Sequence, residues 1–255
     1  MFVQRRGRKI RTDIQGFDEI TGGGLPRACA VLLVGDSDSC IRLFVRQICW
    51  NILQEGGKVL YCTVDQSVED VKSGMASHGW NVKSFEEAGK LRFVDVFSNI
   101  PAEMTNPDLK LNKAKTRVAD GYYARTAMNL SSYAGFRFFP IIDFSGTPRL
   151  AVMDSLSPLL SARREDNLQL LNGLRDATRL SNATGIATIH SDAKEKTAEE
   201  NVTLYADAVV EIASLDDPPS VAGLIRIAKY IGEYKPGPFS MELDNDGLRV
   251  KTTIV

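Results

Sequence analysis

Long apolar runs are missing from this 255-residue chain; the longest are strand-sized, which argues against a membrane-spanning helix. Histidine is scarce, at two residues, and the four cysteines (Cys29, Cys40, Cys49, Cys62) show no C-x-x-C spacing. That pattern weighs against a metal centre or disulfide framework and for reduced thiols in or beside the core. Charge of one sign is not in excess: a net charge of -1 gives no global case for nucleic acid or acidic ligands. The basic N-terminus is followed by no signal-peptide apolar region, so cytoplasmic residence is expected. No internal repeat or low-complexity tract is visible. What remains, 44% apolar and 25% charged, is the composition of a globular domain with a full core.

Six strand-like runs follow one another: Ala30–Gly35, Lys58–Val64, Leu91–Val96, Arg149–Asp154, Ile186–His190 and Asp207–Ile212. Helical patterns lie between several of them, which predicts a parallel sheet with helices on both faces. One helix places Ile41, Val45, Ile48 and Ile52 on one side and closes at Gly56-Gly57. Ser67 with Asp70 forms a capping box that opens a second helix, running to about Gly79. A third spans Asp166 to about Thr184, with Leu168, Leu171 and Leu174 inward and Gly185 at its stop. Beyond Asp207, Ala222–Tyr230, Phe239–Leu243 and Leu248–Ile254 read as antiparallel hairpin strands, separated by strong turn signals. Residues 98–148 are irregular and dense in aromatics, including Tyr122, Tyr123, Tyr133, Phe136, Phe138, Phe139 and Phe144. They read as a cover over the sheet edge, with a partner-binding surface as the other reading.

The most informative segment joins the first run to the first helix: Gly35-Asp36-Ser37-Asp38-Ser39-Cys40-Ile41-Arg42. A phosphate loop at that place reads G-x-x-x-x-G-K-[S/T]. Gly35 keeps the first position, but Cys40 replaces the second glycine, Ile41 the lysine and Arg42 the magnesium-binding hydroxyl. Each change removes a different contact. Cys40 fits a close backbone approach to phosphate poorly, Ile41 carries no charge, and Arg42 cannot ligate Mg²⁺. Asp36 and Asp38 add negative charge where a polyphosphate would lie. Two readings stay open: Arg42 stands in for the lysine, or the segment is an ordinary strand–loop–helix joint.

Taken in order, these pieces resemble the KaiC-like branch of the RecA/RadA recombinase superfamily. Arg11-Thr12-Asp13-Ile14-Gln15-Gly16-Phe17-Asp18-Glu19-Ile20-Thr21-Gly22-Gly23-Gly24-Leu25-Pro26-Arg27 resembles that branch's opening motif without a gap, with Ala28 where its final glycine is expected. Leu60-Tyr61-Cys62-Thr63-Val64-Asp65-Gln66-Ser67 resembles the strand that ends in paired glutamates, one of which activates the attacking water. Here the pair is Asp65-Gln66; Gln66 cannot accept a proton and Asp65 is one methylene shorter. Ser67, Glu69 and Asp70 serve helix capping on the plainer reading.

Arg149-Leu150-Ala151-Val152-Met153-Asp154-Ser155-Leu156-Ser157 is similar to the family's Walker B strand, which implies a magnesium role for Asp154; capping of the next turn is the other reading. His190 ends the strand that carries the γ-phosphate sensor in the family, and also reads as a satisfied strand-end histidine or a metal ligand. Leu224-Ile225-Arg226-Ile227-Ala228-Lys229-Tyr230-Ile231-Gly232 resembles the trans-acting strand, with Lys229 kept and its arginine replaced by Ile231.

The resemblance implies a single RecA-like P-loop domain over residues 1–255, with a basic arm at 1–10 and the aromatic-rich cover at 98–148. It has a mostly parallel sheet finished by antiparallel hairpins. The substituted positions imply a catalytically inactive pseudo-ATPase without cofactor. It would act through a protein partner, such as an active paralogue, or through self-association. The alternative is an ATP- and Mg-binding RecA-family protein in recombination, repair or signalling. Arg5, Arg6, Arg8, Lys9 and Arg11 offer nucleic-acid contacts on one reading and a solvated tail on the other.

Overall fold

The computed structural model describes residues 9–36, 40–95, 97, 115–117, 123–125, 149–160, 164–191, 202–214, 222–244 and 246–254. A nine-stranded sheet runs through it in the order β13-β12-β11-β10-β3-β9-β8-β4-β5. Six of these are mutually parallel: β10 (Ala208–Ala213), β3 (Ala30–Gly35), β9 (Thr184–His190), β8 (Leu150–Asp154), β4 (Val59–Thr63) and β5 (Leu91–Asp95). The remaining three, β11 (Gly223–Lys229), β12 (Pro238–Asp244) and β13 (Gly247–Ile254), extend it antiparallel. The expected fold class is observed.

Alternation along each central strand sends side chains into two separate cores. On β3, Val31 and Leu33 pack toward one face and Ala30, Leu32 and Val34 toward the other. Strands buried on both faces read as unbroken apolar runs, which is why these were legible. Helix α2 (Ile41–Gln54) covers the first face with Phe44, Val45, Ile48 and Ile52. A helix at Arg164–Ser181 covers the second face through Leu171 and Leu174, while Leu168 is only half-buried.

That last helix stops three residues before the expected Thr184. Asn182 takes the left-handed conformation at φ 53°, a common helix terminator, and Thr184 already opens β9. Gly185 therefore lies inside a strand; a Cβ there would meet Thr178 Cγ2 of the covering helix at 2.4 Å. Helix α3 (Val68–Ala76) begins at the expected capping box, with Ser67 Oγ accepting from Asp70 N–H at 3.1 Å. Residues 83–87 add a short α4 (Lys83–Glu87) that the pattern did not suggest.

The opening segment folds as strand β1 (Lys9–Ile10), helix α1 (Phe17–Ile20) and strand β2 (Leu25–Pro26), with β1 and β2 paired antiparallel. The Asp18 carboxylate accepts from the Thr12 and Asp13 amides and the Thr12 hydroxyl, at 2.7 to 3.1 Å, and so closes the loop between β1 and α1. Gly24 has φ 105°, and a Cβ on it would overlap the Ile10 carbonyl at 2.0 Å. The motif's polar and glycine positions thus serve backbone geometry.

Within 98–148 the structure describes a two-stranded hairpin, β6 (Lys115–Arg117) with β7 (Tyr123–Arg125). Tyr122, Tyr133, Phe136, Phe138, Phe139 and Phe144 lie outside the described residues. Among the described residues no helix is long and apolar enough to cross a membrane.

Candidate functional site

The C-terminal ends of β3, β4, β8 and β9 meet the start of α2, the crevice where open α/β sheets hold ligands. Gly35 closes β3, and Asp36 accepts from the Ser214 amide at 3.2 Å and its hydroxyl at 3.0 Å. Ser37, Asp38 and Ser39 lie outside the described residues. Cys40 sits at the N-cap of α2 and its thiol donates to the Ala222 carbonyl at 3.2 Å. Burial and the neighbouring Asp36 push that thiol's pKa upward. Ile41 is fully buried in the core beneath α2, so its side chain does not line the crevice.

Arg42, one residue on, donates to Asp65 Oδ2 at 2.9 Å. The same oxygen accepts from Ser155 Oγ at 3.2 Å, and His190 Nε2 stands 3.7 Å from it. Arg46, one helical turn after Arg42, donates to Gln66 Oε1 at 2.6 Å. The sequence brought Asp65, Gln66 and Arg42 to attention separately; the fold joins them into two contacts between α2 and the end of β4. Arg46 was missed, although its i+4 spacing from Arg42 places both on one helix face.

Asp154 is 1% exposed. Tyr61 donates to one of its oxygens at 2.7 Å and Thr188 to the other at 2.8 Å. Capping of the next turn is therefore not its role. Ser157 holds the local polar contact instead, its hydroxyl accepting the His190 amide at 2.8 Å. Burial, then the Asp154 charge, drive the Tyr61 phenol far above its ordinary pKa, so it stays a donor to Asp154. Burial likewise pushes the Cys62 thiol up to about 12. None of the four cysteines forms a disulfide; Cys29, Cys49 and Cys62 are buried and Cys40 is half-buried.

His190 departs from the reading of a satisfied strand-end histidine. Its ring is buried, and neither nitrogen has a hydrogen-bond partner among the described residues. No group of three or more His, Cys, Asp or Glu side chains able to hold a metal occurs among the described residues. Lys229 donates its ammonium to the Leu204 carbonyl at 2.7 Å, within its own chain.

The basic arm divides in two. Arg5, Arg6 and Arg8 lie outside the described residues. Lys9 belongs to β1, and its ammonium donates to the carbonyls of Thr21, Gly22 and Glu233 while lying 5.2 Å over the Tyr230 ring. Burial lowers its pKa. Arg11 pairs with Asp13 at 2.8 Å and approaches Asp18 at 3.9 Å. Lys9, held by three carbonyls, is therefore a poor candidate for a phosphate contact, whereas the Arg11 side chain is 72% exposed.

A parallel core with β3 feeding α2 at the place of the phosphate loop defines a RecA-like P-loop ATPase fold. The family model described as "ATPase: KaiC" matches residues 10–253, and the chain belongs to that KaiC-like family. The UPF0273 protein of Pyrococcus furiosus is 37% identical over 91 residues, which are 36% of this chain and 37% of that protein. The circadian clock oscillator protein KaiC of Thermostichus vulcanus is 32% identical over 130 residues, 49% of this chain and 25% of that protein. The alignments thus span well under two thirds of these relatives. A KaiC-like protein from Pyrococcus horikoshii OT3 has a similar fold, with a TM-score of 0.69 at 20% identity, covering 96% of this chain and 99% of that one.

Proposed function

We propose that this chain is a KaiC-like pseudo-ATPase that neither binds nor hydrolyses nucleotide and that acts through protein assembly, with itself or with an active paralogue. The observation that carries this reading is how the crevice's own side chains use one another. Ile41 is packed into the core, Arg42 is paired with Asp65, Gln66 is held by Arg46, and both oxygens of Asp154 accept hydroxyl donors. These residues do not fit Mg·ATP. No lysine stands at the loop, Arg42 takes the place of the magnesium-binding hydroxyl, and Asp65 and Gln66 are both engaged by arginines of α2.

Losing two charge-assisted phosphate contacts, at about 1.5–3 kcal/mol each, weakens a micromolar complex by roughly 2–4 decades. The two apolar cores on either side of the sheet are built all the same. That combination supports a domain retained for its surfaces rather than for turnover.

Calorimetric titration with Mg·ATP, together with a phosphate-release assay, tests this reading. The expected result is neither heat nor product at sub-millimolar nucleotide. Micromolar binding would overturn it and favour the ATP-binding alternative. Restoring Gly, Lys and Thr at positions 40, 41 and 42 is expected to leave turnover negligible, since Gln66 and Ile231 stay in place.

A further inference from the structure

We infer that Arg42 is a tethered counter-ion that holds the strand-end crevice closed on Asp65, in the place a ligand-borne cation would otherwise take. Three groups from three elements converge on one oxygen of Asp65: Arg42 from α2 at 2.9 Å, Ser155 from the end of β8 at 3.2 Å, and His190 from β9 at 3.7 Å. The other oxygen of Asp65 is buried with no hydrogen-bond partner among the described residues. The Asp65 side chain is 18% exposed. Without Arg42 this carboxylate would keep one hydroxyl donor and the His190 ring at 3.7 Å, which is too little for a largely buried charge.

Arg46 repeats the device one turn further along α2. Its guanidinium donates to Gln66 and passes over α3 at Gly74, where a Cβ would meet its Nη1 at 2.2 Å. Gly74 leaves the channel through which Arg46 reaches the strand end. Two arginines on one helix face thus fasten α2 to the end of β4. The counter-charge at Asp65 is thus one that the chain itself always carries. The inference rests on the geometry of the ion pair and not on the absence of turnover, so the two readings can fail separately.

Thermal melts of the full chain test it, using wild type, Arg42→Ala, Asp65→Asn, the double variant and Arg42→Lys. Arg42→Ala is expected to lower Tm by about 4–8 °C, the exposed side of the guanidinium keeping the loss below that of a fully buried pair. The double variant should regain at least half of that loss, because the uncompensated charge is gone, and Arg42→Lys should keep most of the wild-type Tm. The wild-type melt should be the same in EDTA and in magnesium chloride. Additive shifts for the two single changes would overturn the inference, and so would a wild-type melt that falls in EDTA. If Arg42→Ala fails to fold, a cooperative melt restored in the double variant supports the pairing, and failure to restore it refutes the pairing. Nucleotide binding with a non-additive cycle would sink only the function reading; additive shifts without nucleotide binding would sink only the counter-ion.

Discussion

Ala28 holds a backbone conformation that its side chain disfavours. It sits between β2 and β3 at φ 55°, where the family's opening motif carries glycine. A Cβ in the left-handed region costs about 1–2 kcal/mol, whereas glycine costs about 0.4–1 kcal/mol through the greater freedom of the unfolded chain. Ala28→Gly should therefore raise stability by about 0.5–1 kcal/mol, read as a higher urea midpoint at unchanged slope. A lowered midpoint would mean that the methyl group contributes packing that outweighs the strain. Asp154 illustrates the same scale from the other side. Its side chain is accommodated in the core because two hydroxyls, from Tyr61 and Thr188, donate to it.

Helix α2 does more than cover a sheet face. Its first turn carries Arg42 to Asp65, its second carries Arg46 to Gln66, and on a further face Gln47 reaches the antiparallel end of the sheet. The Gln47 amide donates to the Leu248 carbonyl at 3.1 Å and accepts from the Leu248 amide at 2.7 Å. This pair of bonds ties α2 to β13, the terminal strand of the sheet order. Gln47→Leu keeps the volume but leaves both backbone groups of Leu248 without these partners in a buried place, at a cost of about 2–3 kcal/mol. Denaturant unfolding should show that loss, and hydrogen exchange should show β13 opening first. A loss under 0.5 kcal/mol, roughly the size expected for an uninvolved surface site, would mean water takes over both bonds.

At the scale of the molecule, the arrangement of charge bears on nucleic acid. Five basic residues in the arm would give a log–log salt slope near about -4.5 on duplex DNA. Residues 1–8 hold three of the five, Arg5, Arg6 and Arg8, so their share of that slope can reach only about -2.7. We expect the full chain and one lacking residues 1–8 to bind single- and double-stranded DNA equally weakly in a salt-series assay. A slope near that limit that vanishes on truncation would show the arm to be a phosphate-binding element. The same view explains why the domain holds its shape around a crevice that has lost its phosphate chemistry. The two cores flanking the sheet involve Ile41, Phe44, Leu171 and Leu174, none of which depends on a ligand.

Several features were legible residue by residue because they are local or periodic. The parallel strands appear as apolar runs, the Ser67–Asp70 box as a helix start, and the glycines of the opening motif as a turn. The substituted loop positions Cys40, Ile41 and Arg42 were also plain from spacing alone. The partners of those positions were not. Asp154 meets Tyr61 and Thr188 because β8 lies between β4 and β9, although those residues are 93 and 34 positions away along the chain. Arg42 meets Asp65, and Lys9 meets Glu233, for the same reason: sheet order and helix docking bring together residues that no local period relates. Local propensity and alternation decide which segments become strands and helices. Which charge neutralises which is decided only when the strands take their order, because Coulomb and hydrogen-bond energies depend on distance in space and on burial, both of which the fold creates.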